Sequence, residues 1–361
     1  MQWRRRSQVG RGVAVAGALG VVLGALLAGC APRSESQPAA SPTEASPTIS
    51  AAAAPAPLKV RLAATSISGS FMPVWTAHEA GLFVQEGLEV ELSSTPTAPT
   101  AVAALLAGEV DMLYGASDAV IAASTNGSDV VMVGALVNKI VQALYVAPEI
   151  TEPAALRGRS LGVTRFGTLG VTSSRYLLRR WGLNADQDVT FLQTGGFAET
   201  VAALSSGAID SGILAPPATL RARELGFVEL GNLWTQPLEY PSVVVTARRV
   251  TDPTQEEVVR RVLRGVMAGV HRVKTDRPLA VSVLQTWTRT EDVRAVEDTY
   301  DLYTPLFERD LRLSQEAFRT ALDEHARDNP RAASADPASL MDSRFVDQIV
   351  RSGFVDQLYA R

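Results

Sequence analysis

The chain has 361 residues, 46% of them hydrophobic and 20% charged, with a formal net charge of −4. That is enough apolar material for two core-bearing domains and too much for a disordered chain. Acids and arginines are interspersed without a basic stripe, which argues against nucleic-acid binding, and the single cysteine, Cys30, excludes an intrachain disulfide.

At the N-terminus Arg4, Arg5, Arg6 and Arg11 precede an apolar, glycine-rich run from Val13 to Ala28. The run is short for a bilayer span of about 20 residues. It ends in Leu27, Ala28, Gly29 and Cys30, which resembles the bacterial lipobox, whose cysteine becomes the lipidated first residue of the mature protein. Residues 1–29 thus read as a lipoprotein signal peptide, with an uncleaved anchor as the alternative. Residues 30–57 are almost wholly Ala, Pro, Ser and Thr, too poor in large apolar groups to pack. They read as a tether reaching from about 30 Å as a coil to about 80 Å extended. The expected location is the extracytoplasmic face of the cell membrane, held by acyl chains on Cys30.

The folded part is expected to contain one α/β unit twice. In the first copy, Leu58–Ala64 is a strand, Thr65–Ser70 a polar turn, and Met72–Phe83 a helix with Pro73 in its first turn. Leu88–Leu92 alternates apolar and acidic residues and reads as a strand. Thr100–Leu106 is a helix stopped by Gly108, and Val110–Tyr114 is a strand ending at Gly115–Asp118. In the second copy, the strand Ser160–Thr164 leads through the loop Arg165–Gly170 into the helix Val171–Trp181. The strand Asp188–Leu192, the helix Glu199–Leu204 and the strand Ile209–Leu214 follow, ending at Ala215–Pro217. The decamer Val102–Asp111 recurs as Val201–Asp210. Each copy is β-α-β-α-β, which implies a mainly parallel sheet with helices on its faces.

Two further runs, Val130–Leu136 and Phe227–Leu233, also correspond. The strand-like segments Gln142–Val146 and Ser242–Thr246 read as two hinge crossings between lobes. From Thr254 the pattern is helical, with segments Thr254–Lys274, Pro278–Thr288, Asp292–Tyr303, Ser314–Arg327 and Arg344–Ser352. The expected domains are lobe one, residues 58–143 plus 247–361, and lobe two, residues 144–246, with the helical tail packed on lobe one.

Pro73–Phe83 followed by Glu86–Val90, and Leu156–Val163 at the start of the second copy, resemble signatures of the binding proteins of ABC importers for nitrate, sulfonates, taurine and thiamine-pyrimidine precursors. The resemblance runs from about Leu58 to Tyr359. It implies a type II periplasmic binding protein, an α/β fold of two lobes joined by two hinge strands. It also implies a small-molecule ligand in the cleft, a membrane permease with a cytoplasmic ATPase as partner, and a monomer. It does not single out a ligand.

Ligands of parallel sheets sit beyond the carboxyl ends of the strands. The candidate contacts there are Ser66, Ser68, Ser70, Phe71 and Trp75; Ser117 and Asp118; Arg165, Phe166, Gly167, Thr168 and Thr172; Gly195 and Phe197; and Ala215 and Pro216. The helix start at Gly167–Gly170 offers free N–H groups to an anion or carbonyl, with Arg165 as a cationic fork. Phe71, Trp75, Phe166 and Phe197 suit a flat ligand. Against these readings stand bland ones: Thr168 as an N-cap, Arg165 as a solvated side chain, the aromatics as core, and Asp118 as a cap. Both a sulfonate-like oxyanion and a pyrimidine-like heterocycle remain open.

No catalytic, cofactor or metal site is expected. His78, His271 and His325 lie far apart, and there is no P-loop, G-x-S-x-G or dinucleotide fingerprint. The chain reads as a binder. The alternatives are a sensory or partner-binding lipoprotein with the same clamshell, and a pyrimidine-synthesis-type enzyme.

Overall fold

The computed structural model describes residues 56–95, 97–249, 252–327 and 329–360. The expected signal peptide, Cys30 and the tether up to residue 55 lie outside the described residues. Among those described, no helix is long and apolar enough to cross a membrane.

The first half runs β1 (Leu58–Ala64), α1 (Met72–Glu79), α2 (Leu82–Gln85), β2 (Leu88–Ser94), α3 (Ala98–Ala107), β3 (Met112–Ala116), α4 (Asp118–Thr125), β4 (Val130–Val137) and β5 (Ala143–Val146). The second half repeats it with β6 (Arg159–Val163), α5 (Leu169–Arg180), β7 (Val189–Gln193), α6 (Phe197–Ser205), β8 (Ser211–Leu214), α7 (Ala218–Glu224), β9 (Val228–Asn232) and β10 (Val243–Arg248). Both expected β-α-β-α-β orders are present, each extended by one helix and one strand.

Two five-stranded sheets result, ordered β2-β1-β3-β10-β4 and β7-β6-β8-β5-β9. The duplication extends to register. β1 pairs in parallel with β3 through Leu62 and Met112, and β6 pairs with β8 through Leu161 and Ser211, the same separation in both copies. The decamer shows why it recurs. Gly108 and Gly207 follow α3 and α6 at φ 74 and 71, a left-handed conformation that Gly adopts without steric penalty. Asp111 accepts from the Arg61 N–H at 2.8 Å and from its guanidinium at 2.7 Å. Asp210 accepts from the Ser160 N–H at 2.9 Å and from its hydroxyl at 2.6 Å. Each aspartate therefore clips the third strand of its lobe to the first. Burial pushes both carboxyls up, but the bonds from Arg61, and from Ser160 and Arg159, outweigh it and hold both below the usual aspartate range.

The fifth strand of each sheet comes from the other half of the chain. β5 follows β4 but lies antiparallel between β8 and β9; β10 follows β9 but lies antiparallel between β3 and β4. This corrects the placement of the crossings. The segments expected as hinges are mostly inner strands, and residues 243–246, grouped by sequence with lobe two, pair within the first sheet. The chain passes between sheets at residues 138–142 and 233–242. These passages are hydrogen-bonded to each other, Leu233 N–H to Gln142 O at 2.9 Å and Tyr240 N–H to Asn138 O at 3.1 Å.

The helical tail begins with α8 (Pro253–Thr275), α9 (Arg277–Thr288), α10 (Val293–Tyr303) and α11 (Gln315–His325). It continues with α12 (Pro330–Ala333), α13 (Arg344–Arg351) and α14 (Phe354–Tyr359). The apolar stripe Val259, Val262, Leu263, Val266 and Val270 of α8 is buried against the first sheet and α1, as expected for lobe one. The approach of α8 to α1 is close: a Cβ added at Gly269 would lie 2.1 Å from the Pro73 carbonyl oxygen. One helix departs from the expectation. Phe318, Ala321 and Leu322 of α11 join a core shared with residues of the second lobe, and Glu324 pairs with Arg179 of α5. The tail also protects a sheet edge. β4 ends its sheet yet is buried throughout, because Leu311 O accepts from the Ala135 N–H and Met132 O from the Asp342 N–H.

Candidate functional site

Between the two sheets lies a cleft of about 1290 Å³. Val141 and Gln142 from one passage and Ser242 and Val243 from the other line it, so its floor is the junction itself. The loop after β1 contributes one wall. The starts of α5 and α6 and the end of β8 contribute the opposite wall. Parallel strands in each lobe point their carboxyl ends the same way, and the two lobes turn those ends toward each other.

Of the candidate residues, Ser66, Ser68, Ser70, Phe71, Thr168, Gly195, Phe197 and Ala215 line this cleft. Ser70 donates to the Ser68 hydroxyl at 3.0 Å, and Ser68 meets the Tyr303 hydroxyl at 3.4 Å, forming a buried row of hydroxyls. Burial pushes the Tyr303 phenol up to about 12 although Ser68 and Ser70 pull it back, so it stays neutral at physiological pH.

The other candidates lie outside the lining. Trp75 is core: its indole N–H donates to the Tyr114 hydroxyl at 3.1 Å and its ring stacks on Trp287 at 5.4 Å. Arg165, Phe166 and Gly167 are exposed beyond the lining, and the Phe166 ring is 52% exposed. The loop turns outward there because the Phe166 N–H donates to Gln193 Oε1 at 3.0 Å. Thr168 begins α5 without capping it; its hydroxyl donates back to the Arg165 carbonyl at 2.7 Å. Pro217 lines the cleft where Pro216 was expected.

Ser117 and Asp118 are the clearest correction. Both are buried behind the cleft, at the start of α4. Asp118 Oδ1 accepts from Thr172 of α5 at 2.7 Å and from Tyr240 of the second passage at 3.0 Å. His325 Nε2 of α11 lies 3.4 Å from the same oxygen. Asp118, bonded to Thr172 and Tyr240, therefore ties the two lobes together and is not open to solute; Thr172 is half-buried and lies outside the cleft lining. Burial, then the neighbouring Asp118, pushes the Tyr240 phenol well above its ordinary value, so Tyr240 remains a donor.

Other lining residues escaped sequence reading. Thr288, Arg289, Asp292 and Tyr303 reach the cleft from the helical tail, whose stripes read as plain core. Gln142 carried the one usable signal, a lone amide next to the buried apolar run of β5. The charged lining comprises Glu199, Glu224, Glu291 and Asp292 against Arg221 and Arg289. Asp292 accepts from the Ala295 N–H at the start of α10, which holds its carboxyl below the usual range. Among the described residues, no three His, Cys, Asp or Glu side chains gather as a metal site would require.

Solved structures share this architecture. The alkanesulfonate-binding protein SsuA from Xanthomonas axonopodis pv. citri, solved bound to MOPS, is 17% identical with a TM-score of 0.67, over 80% of this chain and 98% of that one. The periplasmic nitrate-binding protein NrtA from Synechocystis PCC 6803 is 16% identical with a TM-score of 0.66, over 83% and 90%. The desulfurization enzyme DSZB also matches, at 14% identity and a TM-score of 0.61, over 82% and 99%. At these identities the likeness establishes the fold alone, that of periplasmic binding proteins. No curated protein sequence matches the chain. The NMT1/THI5-like family profile matches residues 68–276, more than half of the chain, and the protein therefore belongs to the NMT1/THI5-like family.

Proposed function

We propose that this protein is the solute-binding component of an ABC importer. It captures a small polar or aromatic molecule by closing its lobes and delivers that molecule to a membrane permease whose ATPase partner works in the cytoplasm. The observation that carries this reading is the floor of the cleft. Among the described residues the chain crosses between the sheets in two hydrogen-bonded passages, and a joint of that kind permits rotation of one lobe against the other about a single axis. Solute touching both walls makes contacts that exist only in the closed form, and so shifts the population toward it.

The reading is that of a binder, not a catalyst. The buried polar groups of the cleft are hydroxyls and an amide, with no nucleophile–base pair among them. Cys30 as a lipid anchor, the tether behind it and an extracytoplasmic location complete the proposal. They place a monomeric binding domain within tens of ångströms of a permease.

Small-angle scattering tests closure. Any compound that raises the melting temperature should also reduce the radius of gyration. A stabilising compound that leaves the scattering profile unchanged would remove the closure mechanism.

A further inference from the structure

We infer that the cleft recognises an uncharged ligand through a hydrogen-bond acceptor, held by the Gln142 amide and the open start of α5, and that it selects against free oxyanions. This rests on the solute-capture reading and names the chemistry of its ligand.

Gln142 is 7% exposed and lies on the cleft floor. Its Oε1 lies 2.6 Å from the Ser173 hydroxyl of α5. That distance is normal for a hydroxyl donating to a carbonyl oxygen and short for an amide N–H donating to a hydroxyl. The carbonyl end is therefore committed to Ser173, and the Nε2 end has no partner among the described residues. A nearly buried amide with two unused donors requires an acceptor, because donors left unsatisfied oppose closure of the cleft. Beside it, Leu169 and Gly170 open α5 and line the same cleft. The first N–H groups of a helix have no intrahelical acceptor, and no side chain caps this start. Gln142 Nε2 and these N–H groups together make a subsite of donors without a formal charge.

Charge decides what enters it. No buried polar residue of the lining is cationic, and Arg165 is outside it. The ionic groups of the walls are four carboxylates and two guanidiniums, of which Arg221 already pairs with Glu224 at 3.3 Å. Glu199 folds over the start of α6, its Oε2 2.4 Å from where a Gly196 Cβ would stand, so that helix terminus already carries its own carboxylate. A free oxyanion would thus enter between walls of net negative charge, whose field opposes it. Phe71, Phe197, Leu169 and Val243 offer apolar contact to the rest of the molecule. The ligand class is an uncharged molecule with a planar or apolar body that carries a carbonyl or ring-nitrogen acceptor.

The experiment is calorimetric titration of the full chain with thymine, cytosine and riboflavin as uncharged probes and nitrate, taurine and MOPS as anionic or sulfonate probes. It is run on wild type, Gln142→Leu and Gln142→Met; the Met variant keeps the side-chain length and stands in if the Leu variant does not fold. At least one uncharged probe should bind with Kd below about 1 mM, and loss of the amide should weaken it at least tenfold. The proposal is overturned if only the anionic or sulfonate probes bind, if no uncharged probe binds at about 1 mM, or if loss of the amide changes affinity less than twofold. Scattering separates the two readings. A Gln142-dependent probe that binds without compaction retains the subsite and sinks the importer mechanism; an oxyanion that binds with compaction does the reverse.

Discussion

Replacing Asp118 by Ala tests whether this residue joins the lobes or meets the solute. The substitution removes the acceptor of the buried Tyr240 hydroxyl, at 3.0 Å, and of the half-buried Thr172 hydroxyl, at 2.7 Å. Leaving the buried Tyr240 hydroxyl without this acceptor costs about 1–3 kcal/mol, and the half-buried Thr172 hydroxyl, which water reaches, adds less. Unfolding entropy of about 2.1 cal/mol/K per residue, over roughly 300 ordered residues, converts this into a fall in melting temperature of about 2–5 °C. Asp118→Asn keeps one oxygen acceptor and should lose less, and Tyr240→Phe, which removes donor and demand together, should lose about 1 kcal/mol. The assay is urea unfolding of wild type, both single variants and Asp118→Ala with Tyr240→Phe, read as a double-mutant cycle. A coupling energy above about 1 kcal/mol is expected, because the two groups share one bond. If Asp118→Ala unfolds like wild type while solute affinity collapses, the residue is a ligand contact and the reasoning fails.

Gly269→Ala should destabilise by about 1–3 kcal/mol, since the new methyl meets backbone at Pro73 and the helices must separate; an unchanged denaturation midpoint would show that α8 can shift freely. Arg165→Ala should leave solute affinity within twofold by titration, because the side chain is exposed outside the cleft lining; a large loss would return it to the site. Acid should destabilise the fold through the two repeat aspartates. Their carboxyls are held below the usual range when folded, so their stabilisation is complete above about pH 4 and is lost as pH falls through the folded values. Melting curves of Asp111→Asn with Asp210→Asn should therefore lie below wild type at neutral pH and converge with it in acid. Curves that stay parallel would contradict the pairing. His271 acts in a higher window: burial, then Arg272 and Arg309, lowers its value, so its contribution is complete above about pH 6.5 and declines below it. His271→Gln should remove that decline from the melting curve.

The duplicated β-α-β-α-β order was legible because its signals are local. Strand alternation, helix stops at Gly108 and Gly207, and the recurring decamer all act within a few residues. Half of the candidate contacts line the cleft for the same reason: a loop after a strand of a parallel sheet lies at the sheet's carboxyl end wherever the lobes go. Misplacement came where a partner lies far along the chain. Asp118 read as a ligand contact or a helix cap, but Tyr240 and His325 cover it. Trp75 offered an aromatic face, but Trp287 occupies it. The exchange of β5 and β10 between the sheets was invisible because an antiparallel insertion leaves the apolar pattern of a strand unchanged.

By itself, then, the amino-acid sequence determined what is written in short-range periodicity and turn chemistry: two α/β units, their internal order, and the loops at their strand ends. Tertiary structure decided the rest. It selected which side of each loop faces the cleft, brought Tyr303 and Arg289 to it from the helical tail, and placed Gln142 on its floor with its carbonyl end already spoken for. A side chain's role as strut or contact depends on which polar groups remain unpaired after packing, and that is known only once residues distant in sequence have been brought within hydrogen-bond reach.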